Sequence, residues 1–181
     1  MDAPPLRSTL EPLTQQNPTP RIVLTVGLPG SGKSTWLAGN HISPLSSDSL
    51  RKLLLDNEDD QTQNRVIFLV LRSLLKKRIQ LKRPVTYVDA THLAPWERRP
   101  YLEIAKLHGC DVEALFFDEP LELCLERNAG RPRVVPVEVM HKMAQRLQPP
   151  SLEEGFSRIV VIRGKTIRTI PPELQHRQPD H

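Results

Sequence analysis

The sequence predicts an α/β three-layer sandwich built on a central parallel sheet, and three observations carry that prediction. Short apolar, β-branched runs alternate with helical segments along most of the chain, the order expected of parallel strands joined by helical crossovers. The first such run leads straight into a glycine-rich turn, and a helical segment leaves it. The length, 181 residues, suits one domain with a substantial core and is short for two.

Pro4, Pro5, Pro12, Pro18 and Pro20 punctuate a polar stretch, so residues 1–20 are expected to form a flexible lead-in outside the fold. Arg21 to Val26 reads as a buried strand because it is nearly continuously β-branched and apolar. Lys33 to Gly39 is predicted helical, Ile42 to Ser46 a weak strand, and Asp48 to Leu55 a short helix that Asp48 itself caps. Thr62 to Arg83 should be the longest helix, with Val66, Leu69, Val70, Ser73 and Leu74 on its apolar stripe and Ile67, Leu71 and Leu75 widening it. Pro84 to Asp89 reads as strand, and Pro95 to His108 as a helix opened by proline and stopped by Gly109. Val112 to Phe117 is a further strand, Leu121 to Arg127 a helix, Asn128 to Pro136 a basic loop, Val137 to Leu147 a helix and Arg158 to Arg163 a last strand. The domain is thus set at 21–170, with 171–181 as a flexible tail.

Composition narrows the function classes. Hydrophobic residues make up 38% and charged residues 25%, ordinary for a globular protein, while the 18 prolines are expected at the termini and in loops. A net charge of +4 favours an anionic partner, which ATP, a phosphorylated metabolite and a nucleic acid all satisfy. No basic leader precedes an apolar run, and no apolar stretch approaches the roughly 20 residues that span a bilayer. The expected location is cytoplasmic, with no membrane partner. Cys110 and Cys124 lack the paired spacing of a zinc site and read as reduced, buried thiols.

The chemistry starts at Gly27-Leu28-Pro29-Gly30-Ser31-Gly32-Lys33-Ser34-Thr35, which satisfies G-x-x-x-x-G-K-[ST] between a buried strand and a helix. Glycines let the backbone wrap a polyphosphate and present N–H groups to it. Lys33 suits the β- and γ-phosphates, and the Ser34 hydroxyl suits Mg²⁺, so ATP and Mg²⁺ are the expected ligands. Asp89, ending the second long strand, is placed for a contact to the metal through water. No Glu follows it to activate a water, which argues against a dedicated ATPase, and no Asn-Lys-x-Asp segment reads guanine. A kinase fits best.

Five segments together resemble the 5′-hydroxyl polynucleotide kinase branch of small P-loop kinases, the group of phage-type and bacterial end-healing kinases. They are Gly27 to Thr35, Ser47-Asp48-Ser49-Leu50-Arg51, Val88-Asp89-Ala90-Thr91-His92-Leu93, Arg127 to Pro136, and Gln148-Pro149-Pro150-Ser151 through Gly155-Phe156. The resemblance implies an adenylate-kinase-like P-loop NTPase fold with a lid around 127–136. It also implies that Asp48 is the general base, that Arg51 grips the phosphate beside the attacking hydroxyl, and that Arg131, with Arg127, attends the ATP phosphates. Arg133 is less constrained by it. From spacing alone, Asp48 and Arg51 equally describe an N-cap with an i,i+3 partner.

The chain departs from that family at His92, where the pattern often has Asn; a lone histidine otherwise reads as a surface residue. The stretch 40–46 is also short, so its strand should be brief. Lys76, Lys77, Arg78, Lys82 and Arg83, with Arg98 and Arg99, read mostly as solvated cations and favourable charges at a helix C-terminus. Aromatic residues are only 4%, too few for extended base stacking, whereas a kinase of nucleic acid 5′-hydroxyl ends needs to hold little beyond one terminal nucleotide. RNA and DNA ends satisfy this alike. Two other readings stand beside it: a kinase for a small-molecule hydroxyl on a sugar, nucleoside or antibiotic, and an ATP-binding regulatory module without catalysis.

Overall fold

A computed structural model of the chain describes residues 19–170. The expectations for the lead-in, save its last two residues, and for the tail lie outside the described residues. The elements follow as β1 (Arg21–Val26), α1 (Lys33–Gly39), β2 (Leu45–Ser46), α2 (Ser47–Leu55), α3 (Asn64–Gln80), β3 (Val85–Asp89), α4 (Pro95–His108), β4 (Asp111–Phe117), α5 (Leu121–Ala129), α6 (Val137–Arg146), β5 (Arg158–Arg163) and β6 (Thr166–Ile170). The sheet order is β2-β3-β1-β4-β5-β6, and β1 to β5 pair in parallel. This is the α/β P-loop NTPase fold.

The order explains where a site can form. β1 lies between β3 and β4, in register from Arg21↔Val85 on one side and Arg21↔Asp111 on the other. From β1 the chain first moves outward to β2, then returns through β3 and crosses to β4. Connections therefore diverge at the C-terminal end of β1, opening a crevice where the glycine-rich turn sits.

Alternating residues of the strands supply two faces of core. Ile22, Leu24 and Val26 pack with Ile67, Leu71, Leu75 and Ile79 of α3 and with Tyr101 and Ile104 of α4. Val23, Leu115, Phe117 and Ile162 form a second cluster against Trp36 of α1. A third, Leu28, Leu93, Cys124 and Met140, joins the glycine-rich turn to α5 and α6.

The sequence reading needs several corrections. On α3 the buried stripe is Ile67, Leu71, Leu75 and Ile79, while Val66, Leu69 and Leu74 are exposed. Apolar residues cover more than half of that helix, and the choice between stripes falls to the sheet and α4. Full burial of one aliphatic side chain, about 1.5–3 kcal/mol, outweighs any propensity difference between the stripes. The helix is also shorter than expected, and β2 is confined to two residues. Ser46, rather than Asp48, caps α2, its hydroxyl accepting from the Ser49 N–H at 3.3 Å.

Cys124 is buried but Cys110 only half-buried, since it stands outside α4 at the start of the turn into β4. Pro100 lies inside α4 rather than in a loop. Arg78 is not solvated: its Nε donates to Thr86 Oγ1 at 3.0 Å and ties α3 to β3. A further strand, β6, pairs antiparallel to β5 across the Gly164-Lys165 turn. Among the described residues, no helix is long and apolar enough to cross a membrane.

Candidate active site

The glycine-rich turn takes a shape that side chains would block. Gly30 has φ +79°, and a Cβ there would meet the Cys124 carbonyl oxygen at 2.4 Å. At Gly27, with φ +147°, a Cβ would meet the Phe117 carbonyl oxygen at 2.9 Å. Positive φ and close backbone approach both exclude larger residues.

Lys33 is buried under this turn, its Nζ donating to the carbonyls of Gly27 at 2.9 Å and Leu28 at 2.6 Å. Burial lowers its pKa to about 8, partly offset by the Asp89 carboxylate. A buried cation under a glycine-rich turn that opens a helix is the arrangement a polyphosphate site needs.

At the end of β3, Asp89 stands between two hydroxyls. Thr25 of β1 donates to Oδ1 at 3.0 Å, and Ser34 of α1 donates to Oδ2 at 3.1 Å. Two hard oxygen groups beside a phosphate cradle fit Mg²⁺, which takes few protein ligands and completes its shell with phosphate and water. Among the described residues, no cluster of three or more His, Cys, Asp or Glu side chains suits a metal ion. Ser34, and Asp89 through water, would hold Mg²⁺ at this position, where it would neutralise phosphate charge.

Asp48 and Arg51 project from α2 into the same cleft as the glycine-rich turn. Arg51 Nη1 donates to Asp48 Oδ1 at 2.6 Å, while its Nε and Nη2 donate to Asn64 Oδ1 at 3.2 and 2.7 Å. Asn64, which sequence reasoning missed, thus fixes the guanidinium plane from α3. Arg51 is 4% exposed, whereas the Asp48 side chain is 48% exposed to the cleft. The arginine is held in place by burial, and the carboxylate stays open to the cleft.

Arg127, Arg131 and Arg133, in the segment expected to form a lid, line the same cleft. Arg127 lies in the last turn of α5, 4.0 Å from Glu119, and its Nη1 would lie 3.9 Å from a Cβ at Gly32. Arg131 is close enough to Lys33 to oppose its charge. Arg133 Nη1 lies 3.3 Å from Asp48 Oδ1, and its Nε pairs with Asp59. The buried Asn128, also missed, staples the loop's base: its amide donates to the Val135 carbonyl at 2.8 Å and accepts from the Val135 N–H at 3.0 Å. The cleft encloses about 1090 Å³, room for a nucleotide and an acceptor together.

His92 is not a surface residue. It is 2% exposed, with φ +44°, and its Nδ1 donates to the Thr25 carbonyl at 2.8 Å. Burial lowers its pKa to about 4. Below it, Arg98 is fully buried, donating to the carbonyls of His92 at 2.9 Å and Gln148 at 3.0 Å and pairing with Glu154 at 2.7 Å. The expected solvated arginine is a buried brace joining α4, the end of β3 and the segment before β5.

A mostly parallel sheet with a G-x-x-x-x-G-K-S turn at its divergence point marks the P-loop type of protein. Residues 22–150 match the AAA domain family AAA_33, a P-loop kinase family, and the chain belongs to it. Human L-seryl-tRNA(Sec) kinase is 38% identical over 53 residues, 29% of this chain and 15% of that protein. The match therefore spans about a seventh of that relative's length. Among solved structures, a sugar kinase from Janibacter sp. HTCC2649 is similar with a TM-score of 0.56, 18% identity and coverage of 81% of this chain and 86% of that one. A chain of the Pnkp1/Rnl/Hen1 complex is similar with a TM-score of 0.54, 20% identity and coverage of 65% and 40%. These two likenesses establish the fold.

Proposed function

We propose that the chain is an ATP-dependent phosphotransferase that moves the γ-phosphoryl group of ATP to the 5′-hydroxyl end of a polynucleotide. The observation that carries this reading is the Asp48–Arg51 pair, 2.6 Å apart, facing the cleft that the phosphate-binding turn lines. A carboxylate beside a guanidinium suits an acceptor whose hydroxyl neighbours a phosphate. The match to human L-seryl-tRNA(Sec) kinase supports an alcohol acceptor within an RNA-linked group.

In this mechanism Asp48 takes the hydroxyl proton as the acceptor oxygen bonds to the γ-phosphorus. The bond from that phosphorus to the β–γ bridging oxygen breaks, and ADP leaves with the electron pair. Lys33 and Arg131 stabilise charge on the transferred group, and Arg127 holds the nucleotide from the lid; Ser34, and Asp89 through water, would hold Mg²⁺, which would neutralise phosphate charge when bound.

The test is incubation with γ-labelled ATP, Mg²⁺ and a 5′-hydroxyl oligonucleotide, beside a panel of sugars, nucleosides and other small alcohols. Label on the oligonucleotide supports the proposal. Label confined to a small alcohol refutes the polynucleotide acceptor, and ATP binding without transfer to any acceptor refutes the enzyme reading in favour of a regulatory module.

A further inference from the structure

The three lid arginines fan across the cleft and do not share a partner. Arg127 lies toward Gly32 and Arg131 toward Lys33, both on the nucleotide side. Arg133 lies on the other side, against Asp48 Oδ1 at 3.3 Å. That oxygen is the one already accepting from Arg51 at 2.6 Å. Among the described residues Oδ2 accepts no hydrogen bond, so two cations on one oxygen leave the other free. Arg133 also pairs with Asp59, in the connection 56–63 between α2 and α3. Its side chain is 24% exposed, less than either carboxylate it bridges.

We propose that Arg133 is a positioning residue for the acceptor half of the site. It holds Asp48 so that Oδ2 takes the hydroxyl proton, and it latches the lid to the 56–63 connection so that the two close as a unit. The role of Oδ2 rests on the phosphotransfer reading; the latch does not. One cation bridging two segments makes their opening events dependent on each other, which two separate surface ion pairs would not.

The latch is tested by hydrogen exchange on the full chain, comparing wild type, Arg133→Gln, Asp59→Asn and the double variant. Each single variant should speed exchange of amides in both 131–135 and 56–63, and the double variant should add nothing beyond either. Faster exchange confined to the substituted segment, or effects that multiply in the double variant, would overturn the latch.

Positioning is tested by transfer kinetics with the acceptor that wild type labels. Arg133→Gln should lower kcat at least about tenfold with KM for ATP changed less than about twofold, and Arg133→Lys should recover part of the loss. An unchanged kcat, or a rise in KM for ATP matching the fall in kcat, would overturn it. Coupled exchange in a wild type that labels no acceptor would refute the phosphotransfer reading and keep the latch; labelled acceptor without coupled exchange would do the reverse.

Discussion

Ser34 and Asp89 lie 55 positions apart in the sequence and share a hydrogen bond of 3.1 Å at the foot of the cleft. One belongs to the first turn of α1 and the other to the end of β3, so the pair exists only because β1 and β3 are neighbours in the sheet.

If Ser34 and Asp89 hold Mg²⁺, Asp89→Asn should weaken it selectively. The expected outcome is a rise of about 10–100-fold in the Mg²⁺ concentration giving half-maximal transfer, with little change in thermal stability. A Mg²⁺ titration of the initial rate, run beside a melting curve, checks this.

Asp48→Asn keeps the shape of α2 and the Arg51 contact while removing the carboxylate proposed as the base. Transfer should fall about 10²–10⁴-fold, and ATP affinity measured by calorimetry should stay near wild type. Retained turnover would take the proton-accepting role away from Asp48.

Lys33 has a folded pKa lowered to about 8 by burial, against 10.5 for a free lysine. Below about pH 8 both folded and unfolded chains hold the proton, and the cost of burying the cation is fully present. Between 8 and 10.5 the unfolded chain holds more protons, so stability rises with pH there. Melting temperatures of wild type minus those of Lys33→Met should therefore climb across that window. A bound polyphosphate favours the charged ammonium, so ATP binding near pH 8.5 should take up a fraction of a proton. Calorimetry in buffers of different ionisation enthalpy reads that uptake, which Lys33→Met should abolish.

His92 titrates the other way. Its pKa falls to about 4 on folding, from 6.5, because burial disfavours the imidazolium. The neutral ring's stabilising effect is complete above pH 6.5 and is lost as pH falls from 6.5 toward 4, on the order of 3 kcal/mol in full. His92→Asn should flatten that acid limb in denaturant-unfolding curves collected between pH 4 and 7.

Much of this was legible in the sequence because the signals were local. The turn from Gly27 to Thr35 carries its own spacing, and strands β1, β3, β4 and β5 are continuous apolar runs that need no partner to be recognised. What escaped depends on distant partners. Arg98 reads as a surface cation until Glu154, 56 positions later, arrives beside it. His92 is buried because Thr25 and Tyr101 close over it, and its left-handed backbone has no signature in a Thr-His-Leu triplet. Asn128 gave no sign because its partner, Val135, offers only backbone atoms. The two stripes of α3 are both rich in apolar residues, and tertiary packing decides between them. The β6 hairpin did leave a trace, a Gly-Lys turn followed by Thr-Ile-Arg-Thr-Ile, but one so short and exposed that it resembles a loop.

Thr25 in β1 gives its carbonyl to His92, and its hydroxyl lies 3.0 Å from both Asp89 Oδ1 and the Ala90 carbonyl. A single residue of the central strand therefore gauges where the next strand ends and where its carboxylate points. The position of Asp89 is calibrated to the glycine-rich turn by the spacing of two neighbouring strands, one of the least adjustable lengths in a protein. The loop 130–136 and α2 hang from this ruler on separate segments, so either can change without resetting the spacing between Thr25 and Asp89.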